Sequence, residues 1–369
     1  MRNKMRFSVN TKELSEAVSN LGRVVATKTS IPTLEGILIK TDADSINMTA
    51  YNMELGMETK LSANVTENGS IVLSARLFTE IVRKAPDETV TITIDDKRIA
   101  IIESGEASFT LIGMDPDEFP ELPSVSELSA IKIDGETLRS MIRQTIYAVA
   151  ESDAKPVHQG SLFSLNNGVL ELVSVDGFRL ALRRENVNVE MNTSFVVPGK
   201  TLSEVVKLIK EGEVEICPDK RHIMFRIDNY TVISGILEGD FLDYKAAIPK
   251  QFATEVYVKT RDFIESTERV SLIINDRLKS PIRCIFSETG VKLSCTTSIG
   301  KAHDKFNCTI NGNTLEMGFN NKYLLDALKN CECDEIKLSL GSALSPMVIT
   351  PKDADSFLFL VLPVRLKNE

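Results

Sequence analysis

The 369-residue chain is poor in the side chains that usually carry chemistry. Its three histidines, His158, His222 and His303, have no serine or cysteine motif for company. No G-x-S-x-G, P-loop, G-x-G-x-x-G or H-E-x-x-H segment occurs. That absence points away from hydrolases, nucleotide-driven motors and zinc proteases, and towards a non-catalytic scaffold or binding role. Cysteine is missing from the first half. The six present, at 217, 284, 295, 308, 331 and 333, follow no disulfide spacing and read as reduced, buried thiols. Cys331 and Cys333 form the one close pair, and no second pair or histidine completes a zinc set. No metal and no cofactor are expected.

Long apolar runs are also scarce. The ending "SFLFLVLPVRLKNE" is apolar for about ten residues, whereas a membrane span needs roughly 20, and Pro363 and Arg365 interrupt it. It reads as a buried strand. The start, "MRNKMRFSVNTKEL", lacks the apolar core of a secretory signal, so a cytoplasmic location is expected. Positive charge is in deficit too, with 43 Lys and Arg against 52 Asp and Glu, a net of −9. Taken as a sum this argues against nucleic acid, but the placement of charge along the chain decides more.

What is present is repetition. A strand–helix–strand pattern recurs at a spacing of roughly 120 residues, the size of a domain rather than a solenoid unit. It reads "IVLSARLFTEIVRKAPDETVTITI", then "FVVPGKTLSEVVKLIKEGEVEI", then "LEMGFNNKYLLDALKNCECDEIKLSL". Leu77, Ile81 and Val82 stand at helical spacing in the first, as do Leu202, Val205, Val206 and Ile209 in the second and Leu324, Leu325 and Leu328 in the third. A second helix opens each unit. In the first it carries Leu14, Ala17, Val18 and Leu21 behind Thr11, which reads as its cap. The expected fold is α+β: three repeated domains, 1–124, 125–252 and 253–369, each of antiparallel sheet with two helices. "SFLFLVLPVRL" takes the place of the last strand of the third.

Two carboxylate groups, Asp95 with Asp96 and Asp115 with Asp117 and Glu118, lie in turn contexts that suit solvated hairpin ends. An enzyme using the second group is a remote reading. Basic residues, by contrast, recur in or near the helices, among them Arg83, Arg139, Arg143 and Lys210. Acidic residues crowd the strands and connectors. Helices sharing one side of an assembly would make that side positive although the whole is acidic.

Together, the triplication, "MRFSVNTKEL", "IPTLEGILI", "SVDGFRLAL" and "LPVRL", in this order, make the chain resemble the bacterial β sliding clamps, the processivity subunits of DNA polymerase III. The resemblance covers essentially the whole chain. It implies a non-enzymatic protein whose two subunits join head to tail in a ring around duplex DNA. Partners would be double-stranded DNA read without regard to sequence, the polymerase, a clamp loader and repair proteins. For DNA contact it points to Lys28, Arg76, Lys200 and Lys207; helix charge adds Arg83, Arg139, Arg143, Lys210 and Lys279. In "SDAKPVHQG", where family members can carry aromatics, Pro156 and Val157 stand instead. For the subunit contact it points to Phe109 and Leu111 against Leu272 and Ile273. For a partner-peptide pocket it points to His158, Val175, Gly177, Phe178, Arg179, Leu180, Leu242, Ala247 and Pro346. The closing residues Leu360, Val361, Leu362, Pro363, Val364, Arg365 and Leu366 complete that set. Phe178 departs from the histidine common in the family. The competing reading is a triplicated scaffold that binds proteins or small molecules and has no DNA role.

Overall fold

The computed structural model describes residues 4–126, 130–152, 155–189, 191–274 and 280–366. The chain divides into two compact units, Met1–Glu136 with Ser203–Ile236, and Thr137–Leu202 with Leu237–Glu369. Its helices are α1 (Thr11–Leu21), α2 (Ala75–Arg83), α3 (Gly135–Ile146), α4 (Gly199–Leu208), α5 (Tyr244–Ala247), α6 (Thr260–Ser271) and α7 (Asn321–Lys329). Among the described residues, five of these, α1, α2, α3, α4 and α6, follow directly on a strand, and α7 follows one after the single residue Asn320. The repeat is therefore a pair of strand-into-helix steps per domain. No helix among the described residues is long and apolar enough to cross a membrane.

Local chemistry sets the helix starts. Asn10, not Thr11, caps α1: its Oδ1 accepts from the Lys12 and Glu13 amides at 3.0 and 3.2 Å, and Thr11 is already the first helical residue. Asn320 repeats this device on α7. An amide side chain in extended backbone satisfies two of the donors that a helix start leaves unpaired. In α1 the stripe Leu14, Ala17, Val18 and Leu21 is buried as its spacing requires. In α2 the buried stripe is Ala75, Phe78 and Val82, and Leu77 stays 39% exposed. The larger ring, at the i, i+4 spacing with Val82, occupies the core in its place.

The first unit holds two antiparallel sheets. One has five strands in the order Asn64–Glu67, Met5–Asn10, Thr89–Ile94, Ile99–Ser104, Ala107–Ile112. The other has eight, and in it Leu55–Ser62 of the first repeat pairs with Tyr230–Gly235 of the second, Met57 opposite Val232. The second unit holds a nine-stranded and a four-stranded sheet. In the nine-stranded sheet, Arg179–Asn186 of the second repeat pairs with Phe357–Val361 of the third, Leu180 opposite Leu360. The repeat boundaries thus lie in the loops while the sheets run through them. Shared sheets leave fewer strand edges open to unwanted pairing.

The turn carboxylates are structural. Asp95 accepts from the Lys97 and Ile99 amides, and Asp115 caps a short turn and pairs with Arg98. Among the described residues no group of three or more His, Cys, Asp or Glu is placed to hold a metal ion. All six cysteines are free thiols, and burial pushes the Cys331 thiol well up.

Candidate functional site

The apolar ending is a central strand. Phe357–Val361 lies between Arg179–Asn186 and Met347–Pro351, with Phe359 and Val361 fully buried. Beyond it the chain remains tied. The Leu362 amide donates to the Phe178 carbonyl at 2.9 Å and the Val364 amide to the Gly318 carbonyl at 2.8 Å. A Cβ on Gly318 would stand 2.6 Å from both Leu366 Cδ2 and the Val364 carbonyl oxygen. Only a glycine lets the last residues lie this close.

Beside this segment sits an apolar cluster of Leu162, Val173, Val175, Leu180, Leu182, Val196, Tyr244 and Leu360, with Leu237, Phe241, Leu358 and Ile248 packed on it. Of the residues nominated from sequence, Val175, Leu180 and Leu360 form its closed floor. Leu242, Leu362 and Val364 are 36–41% exposed and form apolar edges open to solvent. Ala247 and Arg365 are exposed; Pro346, Pro363 and Leu366 are half-buried. His158, half-buried, sets its ring edge-on to Phe241 at 5.7 Å. Tyr244, absent from the sequence expectation, donates from Oη to Glu171 at 2.7 Å, and burial and then Glu171 push its phenol up.

The "VDGFR" turn has a mechanism of its own. Asp176 Oδ1 accepts from the Phe178 and Arg179 amides at 3.0 and 3.1 Å, and Gly177 takes φ +83°, a conformation that favours glycine. The turn projects Phe178, 55% exposed, onto Tyr323, ring centroids 5.5 Å apart and nearly parallel. It also folds Arg179 inwards to 7% exposure. There the guanidinium pairs with Asp176 at 2.9 Å and Asp326 at 2.5 Å and lies over the Tyr323 and Tyr147 rings at 4.8 and 5.3 Å. Burial works against this charge, but Asp326 and Asp176 outweigh it and hold the Arg179 pKa above its usual value. A cleft of about 720 Å³ opens alongside, lined by Phe178, Arg179, Asp176, Asn320, Tyr323 and Asp326 among others. Of the nominated residues it shares Phe178 and Arg179. Tyr147, Tyr323 and Asp326 went unnoticed because they lie about 30 to 150 positions from Arg179, beyond the reach of local pattern.

The nominated cations fall into groups. Lys28, Arg76, Arg83, Arg143 and Lys200 are exposed and make no ion pair among the described residues. Lys207 is held by Glu204 at 2.7 Å, which also takes Arg23, and Lys210 is held by Glu16 at 2.5 Å. Arg139 is half-buried. Lys279 lies outside the described residues. Val157 is 2% exposed, so its side chain belongs to the interior.

The residues nominated for a subunit contact differ in exposure. Phe109 is 37% exposed and Leu111 half-buried on Ala107–Ile112, an edge of the five-stranded sheet. Leu272 is 84% exposed, while Ile273 packs partly into the core. Ile112, 84% exposed on the same edge strand, was not nominated.

Three strand–helix repeats with sheets continued across their boundaries define the DNA-clamp class of fold. The family models described as the N-terminal, central and C-terminal domains of the DNA polymerase III beta subunit match residues 5–123, 132–243 and 245–365. The beta sliding clamp of Bacillus subtilis is 32% identical over 376 residues, covering 98% of this chain and all of that one. That of Halalkalibacterium halodurans is 32% identical over 380 residues, with the same coverage. The crystal structure of the Bacillus subtilis DNA polymerase sliding clamp superposes with a TM-score of 0.95 at 31% identity, covering 98% of this chain and 100% of that one. The chain belongs to the DNA polymerase III beta subunit family, and its function is that of a DNA sliding clamp, a non-catalytic processivity subunit.

Proposed function

We propose that two copies close head to tail into a ring around duplex DNA, that the helices carry the phosphate contacts, and that the groove beside the closing strand holds polymerase and repair proteins. In this reading the functional repeats are 1–124, 125–252 and 253–369. The observation that carries the DNA role is the set of exposed helix cations, Arg76, Arg83, Arg143 and Lys200, with Lys28 in a loop, none neutralised by a described acid. Phosphate contacts of this kind attract without reading sequence, so an enclosed duplex can slide. Lys207 and Lys210 contribute less, since each must first leave a glutamate.

A partner peptide rests its apolar anchors on Leu242, Leu362, Val364 and the Phe178–Tyr323 stack. The closed floor of Val175, Leu180 and Leu360 keeps this surface in shape. A polymerase held there stays at a local concentration far above its bulk value. Opening the ring falls to a clamp loader, a separate protein.

Retention on circular DNA tests the reading. After loading, the protein should stay on closed circles and leave when they are linearised; rapid loss from intact circles would sink it. Phe178→Ala should weaken a polymerase-derived peptide by about tenfold without altering retention.

A further inference from the structure

The two units build one junction twice, with one exchange of side chains. In the first unit the strands run Tyr230–Gly235, Leu55–Ser62, Ser45–Tyr51, Gly36–Thr41, Ser70–Ser74. In the second the same order is Phe357–Val361, Arg179–Asn186, Val169–Val175, Gly160–Asn166, Thr193–Pro198. The turn leading into Leu55–Ser62 matches the "VDGFR" turn. Asn52 Oδ1 accepts from the Glu54 and Leu55 amides at 3.0 and 2.9 Å, and Met53 takes φ +74°. The connectors leave both sheets alike, since the Met114 amide donates to the Val72 carbonyl at 2.8 Å and the Leu237 amide to the Val196 carbonyl at 2.9 Å. In this register Gly56, opposite Ile233, stands where Leu180 stands opposite Leu360.

That exchange decides what lies on the sheet. Over Gly56 lies Leu122 of the chain's own connector, so close that a Cβ on Gly56 would stand 2.1 Å from its Cδ2. Leu122 rests on two apolar clusters, Leu34, Leu38, Tyr51, Val72 and Phe119 on one side and Cys217, Met224 and Ile233 on the other. Among the described residues no hydrogen bond holds Pro120, Glu121 or Leu122. Side-chain burial alone keeps this segment down, as apolar anchors keep a bound peptide. In the second unit Leu180 fills the matching position, and Leu242 of the connector stays 40% exposed beside the open groove.

We propose that the first unit contains a second peptide groove, closed by Phe119–Leu122 as its resident ligand, and that it takes the aliphatic anchor of another peptide when Leu122 is withdrawn. The comparison rests on the groove reading of the second unit. One open groove per chain follows, because the other is filled from within. An apolar space emptied of its side chain stays dry and takes up apolar ligands, so the vacated site keeps its selectivity.

The test uses the full chain and a synthetic peptide of the resident's own sequence, DEFPELPSV, carrying a photoreactive leucine analogue at its leucine. After irradiation, mass spectrometry locates the labelled residues. Leu122→Ala raises labelling at Tyr51 and Met224 by about tenfold or more over the parent, whereas Leu122→Met, which refills the space, leaves it at the parental level. Gly56→Leu crowds Leu122 out and raises labelling at Met224 too. If a Leu122→Ala protein with a cooperative urea transition gains no label there, or if the parent is labelled as strongly, the resident-ligand proposal is overturned. Should the alanine variant not fold, Leu122→Val, a smaller loss, decides on the same readout. Labelling beside Leu180 and Leu360 reports separately on the second unit: its absence from every protein sinks the groove reading there, while Tyr51 and Met224 still decide the first.

Discussion

Arg179 concentrates the stereochemistry of the candidate site. It is buried, paired with two carboxylates and placed over two tyrosine rings. Removing one member of such a group leaves uncompensated charge in a poorly solvated place. Arg179→Ala should therefore lower stability by about 3 kcal/mol, read as a shift in the urea midpoint. Arg179→Lys should recover little, because an ammonium cannot reproduce the planar stacking or the forked pairing. An unchanged midpoint in the alanine variant would show that the network is not structural. The "DGFR" segment drew attention to this position from sequence, and its Asx turn follows from residue types alone. The role of Arg179 as a buried anchor did not, since Asp326, Tyr147 and Tyr323 reach it only through the fold.

At the scale of the element, the closing segment has two parts with separable energetics. Phe357–Val361 is held by two strand neighbours and by burial, whereas Leu362–Leu366 is held by two backbone hydrogen bonds and by contact with Gly318. Gly318→Val should push the second part away while sparing the first. Peptide affinity should fall by about tenfold or more with a small change in thermal midpoint. Phe359→Ala, by contrast, should cost about 3–5 kcal/mol through the cavity it leaves. A Gly318→Val protein with parental peptide affinity would remove the end of the chain from the groove. Sequence reading recognised the apolar run as a strand from its length and composition. It misplaced the cap of α1 by one residue and the buried stripe of α2, because a cap depends on which side chain actually reaches the free amides, and burial on which ring fills the space.

For the whole molecule the decisive quantity is where charge is free. The chain is acidic overall, yet Lys200 stands exposed on α4 with no ion pair among the described residues, while Lys207 on the same helix is held by Glu204. Lys200→Ala should lower the salt slope of DNA association by about one counterion unit, measured as retention on circles across a salt series. Lys207→Ala should change it less. Equal effects would show that the Glu204 pair dissolves on DNA.

By itself the sequence determined the threefold repeat, the antiparallel α+β class, the strand nature of the ending and the lack of catalytic apparatus, because periodicity and residue type are local properties. Only tertiary structure decided that sheets run through the repeat boundaries, that Arg179 is buried between two tyrosines, and which cations, such as Lys207 and Lys210, are held by carboxylates. Those outcomes depend on hydrogen bonds, ion pairs and burial between residues far apart in the chain, and no local pattern encodes them.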